Sequence, residues 1–423
     1  MKIKYKEENF ESIISYRPKN CKKPKKPSRF RRFLLKTVSK FDLKETNFKY
    51  NLGDYSSINK NEPILILMNH SSFIDLEIAS TIFYPRPINI VTTTDGFIGK
   101  NWLLRNLGCV PAKKFIMDVD LVRNLLYISK KLKSNILMYP EASYSFSGET
   151  TPLPDSVGKL IKLLKIPVVS VITENAFLRQ PLYNMLNKHD VDVSANVKVL
   201  IKKEDINKLS VDEINNILKK EFDLDYWKKQ KEQNVIIKEG NFAEGLERVL
   251  YKCPHCGVEG EITTKGNEIT CVKCGVKYII QPNGVLKSTN AETKFSSVSE
   301  WYQYERDEVK KEILNGTYKT EFDPELFLTV DTYKLFKVKD AHPHFIHDIN
   351  GFSLTDSSKD LSFKLNPQET YSVYSDFYWY ELGDVISIGN TDIQYYCFPK
   401  NSKISVAKIR IASEEMYKIK TNQ

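Results

Sequence analysis

Between about residues 62 and 175, short apolar runs alternate with longer segments of helical periodicity. PILILM (63–68), INIVT (88–92), NILMY (135–139) and IPVVSVI (166–172) are β-prone and mostly apolar, as strands covered on both faces are. Between them, SSFIDLEIASTIF, GKNWLLRNL and DVDLVRNLLYISKKL carry apolar residues at helical spacing. The alternation predicts an α/β core, a mostly parallel sheet flanked by helices with functional loops at strand ends. Residues 189–202 read as a further strand, and Ser210 with Glu213 forms a capping box that starts a helix to about Phe222. Upstream, Phe30, Phe33, Leu34, Val38 and Phe41 follow helical spacing from Ser28, with Arg29, Arg31, Arg32, Lys36 and Lys40 on the remaining faces. Past Cys253 the pattern shifts: Ser297 and Glu300 open a helix that Asn315-Gly316 stops, and residues 325–412 read as strand-rich, KISVAKIRI included. No internal repeat is visible. The shifts divide the chain into a basic N-terminal segment (1–41), an α/β domain (42–245), a cysteine-bearing module (246–286) and a helix followed by a β-rich C-terminal domain (287–423).

Composition adds that the chain, 423 residues at 41% hydrophobic and 12% aromatic, can build a real core and is not a disordered tail. The net charge of +10 is concentrated: residues 17–40 hold eleven Lys or Arg and no Asp or Glu. Residues 17–27, RPKNCKKPKKP, should be an extended, solvated lead-in. The basic amphipathic helix after it has three uses open to it. Its apolar face can enter a membrane interface while the cations meet anionic head groups, the stripe can dock on the protein's own core, or the block can bind nucleic acid. No apolar stretch approaches the roughly 20 residues that span a bilayer, and MKIKYKEENF has no apolar signal core. A cytoplasmic protein, peripheral on the inner face of the cell membrane, is expected. Cysteine usage agrees, because four of the seven form two Cys-x-x-Cys pairs and Cys21, Cys109 and Cys397 are scattered without disulfide-like spacing.

Chemistry enters with MNHSSFID (68–75), where one of only six histidines stands at the end of a buried strand. His70 can fold back toward Asp75 in the first turn of the next helix. The carboxylate would fix the tautomer, leave the other ring nitrogen as a base and stabilise the imidazolium. With no cysteine nucleophile nearby, that pair suits direct attack by a substrate hydroxyl. The competing reading is that Asp75 merely satisfies helix N-terminal amides, in a capping box with Ser72. Downstream, NILMYPEASYSFSGE presents Glu141, Ser143, Tyr144 and Ser145 in a strand-end loop, and LGCVPAKK brings Gly108, Lys113 and Lys114 into another.

These blocks, in this order over roughly residues 60–205, resemble the glycerolipid acyltransferase family that includes 1-acylglycerol-3-phosphate acyltransferase. Asn69, His70 and Asp75 match its Asn-His-x4-Asp block. Gly108 with Lys113 or Lys114 stands where a glycine and an arginine are expected, Tyr139 to Tyr144 where Phe-Pro-Glu-Gly-Thr-Arg is expected, and the strand around Pro167 for the fourth block. The resemblance implies acyl transfer from a thioester, acyl-CoA or acyl carrier protein, to the hydroxyl of a lysophospholipid, with phosphatidate the product when the acceptor is 1-acylglycerol-3-phosphate. His70 would be the general base and Asp75 its orienting partner. Asn69, Ser71, Gly108, Lys113, Lys114, Glu141, Ser143 and Tyr144 would form the substrate-binding surface, with backbone amides near Ser71 as oxyanion donors. Tyr144 cannot supply the charge of the motif's arginine, which leaves Lys113 and Lys114 to meet an acceptor phosphate. The layout as a whole resembles a zinc-ribbon-bearing branch of lysophospholipid acyltransferases from low-GC Gram-positive bacteria.

The cysteine pairs carry their own signal. Cys253-Pro-His-Cys256-Gly and Cys271-Val-Lys-Cys274-Gly, 14 residues apart, have the spacing of a four-cysteine zinc ribbon. A closed thiolate site leaves no position for water, so the zinc would be structural. His255 reads as an exposed knuckle residue. Zinc ribbons often bind nucleic acid, which makes a non-catalytic adaptor for nucleic acid or a membrane surface the alternative function. The ribbon is near charge balance, however, and no nucleic-acid partner is expected. A membrane scaffold with an inactive core is a third reading. The tail's tyrosines in SVYSDFYWYEL read as core or cross-strand residues, or as an acyl-chain or acceptor surface. His342, His344 and His347 read as a solvated loop cluster, with a second metal site as the alternative.

Overall fold

The computed structural model describes residues 3–16, 22–116, 118–330 and 333–421; residues 17–21 of the basic lead-in, with Cys21, lie outside them. A seven-stranded sheet forms in the order Lys49–Asn51, Ser194–Ile201, Val168–Glu174, Leu65–Met68, Asn135–Met138, Ile88–Thr93, Cys109–Ala112. Its neighbours run parallel except Val168–Glu174 with Ser194–Ile201. Leu65–Met68 lies at the centre with every residue buried. Ile66 and Met68 face one apolar layer and Leu65 and Leu67 the other, so the strand reads as uniformly apolar. The capping box at Ser210 and Glu213 is present and opens Val211–Glu221.

The remaining sheets build the ribbon and the tail. Leu286–Ser288, Lys277–Ile280, Glu268–Cys271 and Ile262–Lys265 pair around the cysteines, and two further sheets of four and six strands complete the chain. The six-stranded sheet begins with Tyr5–Glu8, which pairs parallel with Leu335–Val338. Phe10 and Ile13 of the next helix are buried in a core shared with the tail. Residues 5–15 thus belong with the C-terminal domain and not, as expected, to a separate basic segment.

Three other expectations change. KISVAKIRI is not a strand: Val406–Thr421 is a helix, buried on almost every side from Val406 to Met416. A helix with no polar face loses the 3.6-residue contrast that identifies it, and its alternating isoleucines then mimic a strand. Of the histidines of AHPHFIHD, His342 stays in an exposed loop and the other two do not. His344–Asp348 is a strand, His347 is buried against Phe352 with Nδ1 on the Tyr318 hydroxyl, and His344 pairs with Asp323. The described part of the lead-in is extended but docked: Asn89 Nδ2 donates to Lys25 O at 2.8 Å and Arg105 Nη1 to Lys22 O at 3.0 Å, with Pro24 and Pro27 buried.

Candidate active site

Asn69, immediately after the central strand, anchors the turn that carries the histidine. Its Oδ1 accepts from Thr173 N at 2.8 Å, and its Nδ2 donates to Thr173 Oγ1 at 2.9 Å and Tyr226 Oη at 2.6 Å. The strand end is thereby locked to its neighbour, and His70 leaves it in a defined direction. Asp75 is the first residue of helix Asp75–Ile82. Its Oδ2 accepts from Ser71 N at 2.9 Å and Ser72 N at 3.1 Å and lies 3.1 Å from His70 Nδ1. One carboxylate oxygen therefore both caps the turn and orients the imidazole, joining the two readings that the sequence left apart. This has a cost for one expectation. The amides of Ser71 and Ser72 are committed to Asp75, so they are not free to serve an oxyanion. The Ser72 box is absent too, because its hydroxyl is buried without a described partner.

The His70 ring is sandwiched between Tyr139, at 3.7 Å between centroids and 16°, and Tyr144, at 3.6 Å and 27°. With Nδ1–H donating to Asp75, Nε2 carries the lone pair, and no described hydrogen bond uses it. Burial lowers the imidazole pKa below 6.5 despite the opposing pull of Asp75, so the ring is a neutral base at neutral pH. An NMR titration of His70 should therefore give a midpoint below 6.5; a midpoint above it would mean that Asp75 outweighs the burial.

His70 lines a cavity of about 1830 Å³ between the α/β domain and the tail, together with Phe73, Ser143 and Tyr144. Asn69, Ser71, Asp75 and Glu141 are not part of that wall and brace it from behind. Glu141 Oε1 accepts from His70 N at 3.2 Å and Oε2 from Thr151 N at 3.1 Å. Burial pushes its carboxyl up to about 7. Gly108, at φ +90°, serves a turn, where a Cβ would meet Ile88 O and Pro27 Cδ at 3.0 Å. Lys114 reaches the wall but is committed: Nζ is 2.9 Å from Asp95 Oδ2 and stands 2.8 Å over the Tyr374 ring centroid. Lys113 Nζ donates to Thr391 O.

Of the tail's share of this wall, sequence reasoning offered SVYSDFYWYEL as one of two readings and missed Arg306, Arg410 and Lys418. Arg306, Asp376, Trp379, Arg410 and Lys418 all reach the cavity. The available signal was Arg410 itself, a lone guanidinium within an apolar run, with Glu414 one helical turn on.

The four cysteines converge as their spacing predicts. Their ligand atoms lie within 4.8 Å of one another, with Sγ–Sγ distances of 3.7 Å for Cys253–Cys274 and 3.8 Å for Cys256–Cys271. Tetrahedral Zn–S bonds of about 2.3 Å would set sulfurs about 3.8 Å apart, so the donor set fits the ion. His255 turns away, with Nε2 3.1 Å from Tyr278 Oη.

Residues 49–174 match the family model named Acyltransferase. That span runs from the first strand of the large sheet through Val168–Glu174 and contains His70, Asp75 and Glu141. A search of the curated proteins finds no match. Among solved structures, the 1-acyl-sn-glycerophosphate (LPA) acyltransferase PlsC from Thermotoga maritima matches at 17% identity and a TM-score of 0.36 over 45% of this chain and 78% of that one, a likeness that fixes neither fold nor activity.

Proposed function

We propose that the protein is an O-acyltransferase that moves a fatty acyl group from a thioester, acyl-CoA or acyl carrier protein, to the hydroxyl of a lysophospholipid. The acceptor that the motif resemblance favours is 1-acylglycerol-3-phosphate, giving phosphatidate. One observation carries the reading: His70 is oriented by Asp75 at 3.1 Å and lines the large cavity with no described partner on Nε2. The acceptor O–H gives its proton to Nε2 as the oxygen attacks the thioester carbonyl carbon. When the tetrahedral adduct collapses, the C–S bond breaks and the imidazolium returns the proton to the departing sulfur. At about 1830 Å³ the cavity exceeds the roughly 300–1,000 Å³ of sites for drug-sized ligands, which suits an acceptor chain and a donor chain together. Purified protein incubated with labelled acyl-CoA or acyl carrier protein and a panel of lysolipids tests this. Formation of a diacyl lipid supports it, and none from any pairing overturns it.

The same reading places the enzyme on the inner, anionic surface of the cell membrane. No helix among the described residues is long and apolar enough to cross a bilayer. Instead, helix Arg29–Glu45 leaves Phe30, Phe33, Leu34, Val38 and Phe41 exposed, Phe41 at 75%. This weighs against the stripe docking on the protein's own core. Trp102 and Leu103 are also exposed on the adjacent helix, which Arg31 Nη1 joins through Asn106 O at 3.3 Å. Inserting one Phe is worth about 1.5–3 kcal/mol. Changing Phe30, Phe33 and Phe41 to Ser together should lower binding to phosphatidylglycerol vesicles at least about 100-fold with an unchanged melting temperature. Equal flotation of both proteins would remove the helix from this role.

The zinc would be structural, holding the ribbon between the α/β domain and the tail. The layout also favours the zinc-ribbon branch known from low-GC Gram-positive bacteria.

A further inference from the structure

Helix Val406–Thr421 delivers an arginine to the catalytic side of the cavity. Arg410 is 5% exposed, lines the cavity, and donates from Nη2 to Ser143 Oγ at 2.9 Å. Ser143 lies two residues past Glu141, whose carboxylate holds the His70 amide, and the Arg410 charge is close enough to oppose the rise of the Glu141 pKa. Arg410 Nε pairs with Glu414 Oε1 at 3.0 Å. Glu414 Oε2 then meets Arg306 Nη2 at 2.8 Å, Arg306 Nη1 meets Glu415 Oε1 at 2.8 Å, and Lys418 Nζ lies 2.7 Å from that same oxygen.

Within this chain of charges Arg306 and Arg410 are matched by Glu414 and Glu415, and Lys418 adds a third, half-exposed cation. Arg306, Arg410 and Lys418 are all part of the cavity wall, with Glu414 beside them. Arg410 Nη1 takes no described protein acceptor, since its bonds run from Nε and Nη2. Glu149, which faces Arg306 from the neighbouring loop, is pushed up to about 7 by burial and so is only partly available as a counter-charge. A guanidinium that lines the cavity with Nη1 unspent, beside a second arginine, suits a phosphate-type anion.

We propose that Arg410, held by Glu414 and backed by Arg306, binds a phosphate group of one substrate beside His70. The proposal rests on the acyl-transfer reading for its setting. The phosphate has two sources open to it, the acceptor head group or the carrier of the thioester donor.

The test uses full-length, zinc-loaded protein and the variants Arg410→Gln and Arg410→Lys. Acceptors are lysophosphatidate and a monoacylglycerol of the same chain length; donors are acyl-CoA and the phosphate-free N-acetylcysteamine thioester of the same acyl group. A charged hydrogen bond is worth about 1.5–3 kcal/mol, so Arg410→Gln should raise KM for the phosphate-bearing member of one pair about 10- to 150-fold, and Arg410→Lys should raise it less. A rise confined to the acceptor pair assigns the phosphate to the acceptor, and one confined to the donor pair assigns it to the donor. Equal losses within both pairs would make Arg410 a structural tie and overturn the proposal. Arg410→Lys keeps the comparison available should Arg410→Gln fail to fold. Binding of inorganic phosphate, read as a rise in melting temperature, separates the anion site from the acyl-transfer reading. If the wild type transfers no acyl group yet Arg410→Lys weakens a phosphate-dependent rise, the anion site stands and the acyl-transfer reading falls. If phosphate does not stabilise the wild type and no KM split appears, the anion site falls.

Discussion

Replacement of His70 by alanine is expected to slow acyl transfer about 10²- to 10⁴-fold, the usual share of a general base, with the protein still folded. The ring contributes no backbone hydrogen bond, and its Nδ1 is one of three donors to Asp75 Oδ2, so the turn keeps its Ser71 and Ser72 amide bonds without it. Asp75→Asn is the sharper comparison. An amide oxygen can still accept from Ser71 and Ser72, but the side chain no longer carries the charge that fixes Nδ1–H and stabilises the imidazolium. A cap alone would lose stability with little change in kcat; an orienting carboxylate loses kcat, by at least about 100-fold. Because the two groups act as one unit, the double variant should be no slower than His70→Ala by more than a small factor. Steady-state kinetics on the three variants, with melting curves beside them, decide the matter. Transfer unchanged in His70→Ala would remove the mechanism outright.

The readable part of the site owes its legibility to where it sits. Parallel strands buried on both faces leave continuous apolar runs, so Leu65–Met68, Asn135–Met138 and Val168–Glu174 announce themselves, and the polar residues just beyond them mark the strand-end loops. The His70–Asp75 contact is local, five residues apart, and the four cysteines declare their site by spacing alone. The missing parts are non-local. Tyr5–Glu8 is an exposed strand with no apolar alternation, and nothing in YKEE shows that its partner is Leu335–Val338. The strand-end polar groups also divided their work in a way that composition does not reveal. Asn69 and Glu141 are spent on backbone amides and neighbouring side chains behind the wall, Lys114 on Asp95, while the cavity takes its arginines from a helix whose pattern imitates a strand and from the helix packed beside it. Long-range packing made those assignments, and no window of neighbouring residues contains it.

Removal of the zinc proposed for the ribbon is expected to act on the tail and, through it, on the cavity. The ribbon's strands are three or four residues long, a slight frame for four cysteines whose ligand atoms lie within 4.8 Å of one another. Structural zinc supplies about 10–16 kcal/mol of apparent binding energy in zinc-finger peptides near neutral pH, and in such modules that energy is folding energy. Here it has further to travel. Trp301 Nε1 donates to Lys252 O at 2.9 Å beside Cys253, and Lys252 N donates to Glu305 Oε1 at 2.8 Å, tying the ribbon to helix Val298–Leu314, which carries Arg306. Lys408 Nζ pairs with Glu259 Oε2 at 2.8 Å, tying it to the helix that carries Arg410 two residues on. A strong zinc chelator should therefore extract about one zinc ion per chain. It should lower the tail's unfolding midpoint by at least about 10 °C, given about 2–4 °C per kcal/mol for domains of 150–250 residues. Transfer activity should fall with it although none of the four ribbon cysteines lines the cavity, and zinc added back before aggregation should restore both. Cys253→Ser should reproduce the loss without chelator. If the protein carries no zinc as purified, or if chelation extracts the ion and leaves melting and turnover where they were, the cysteines do not staple this wall in place.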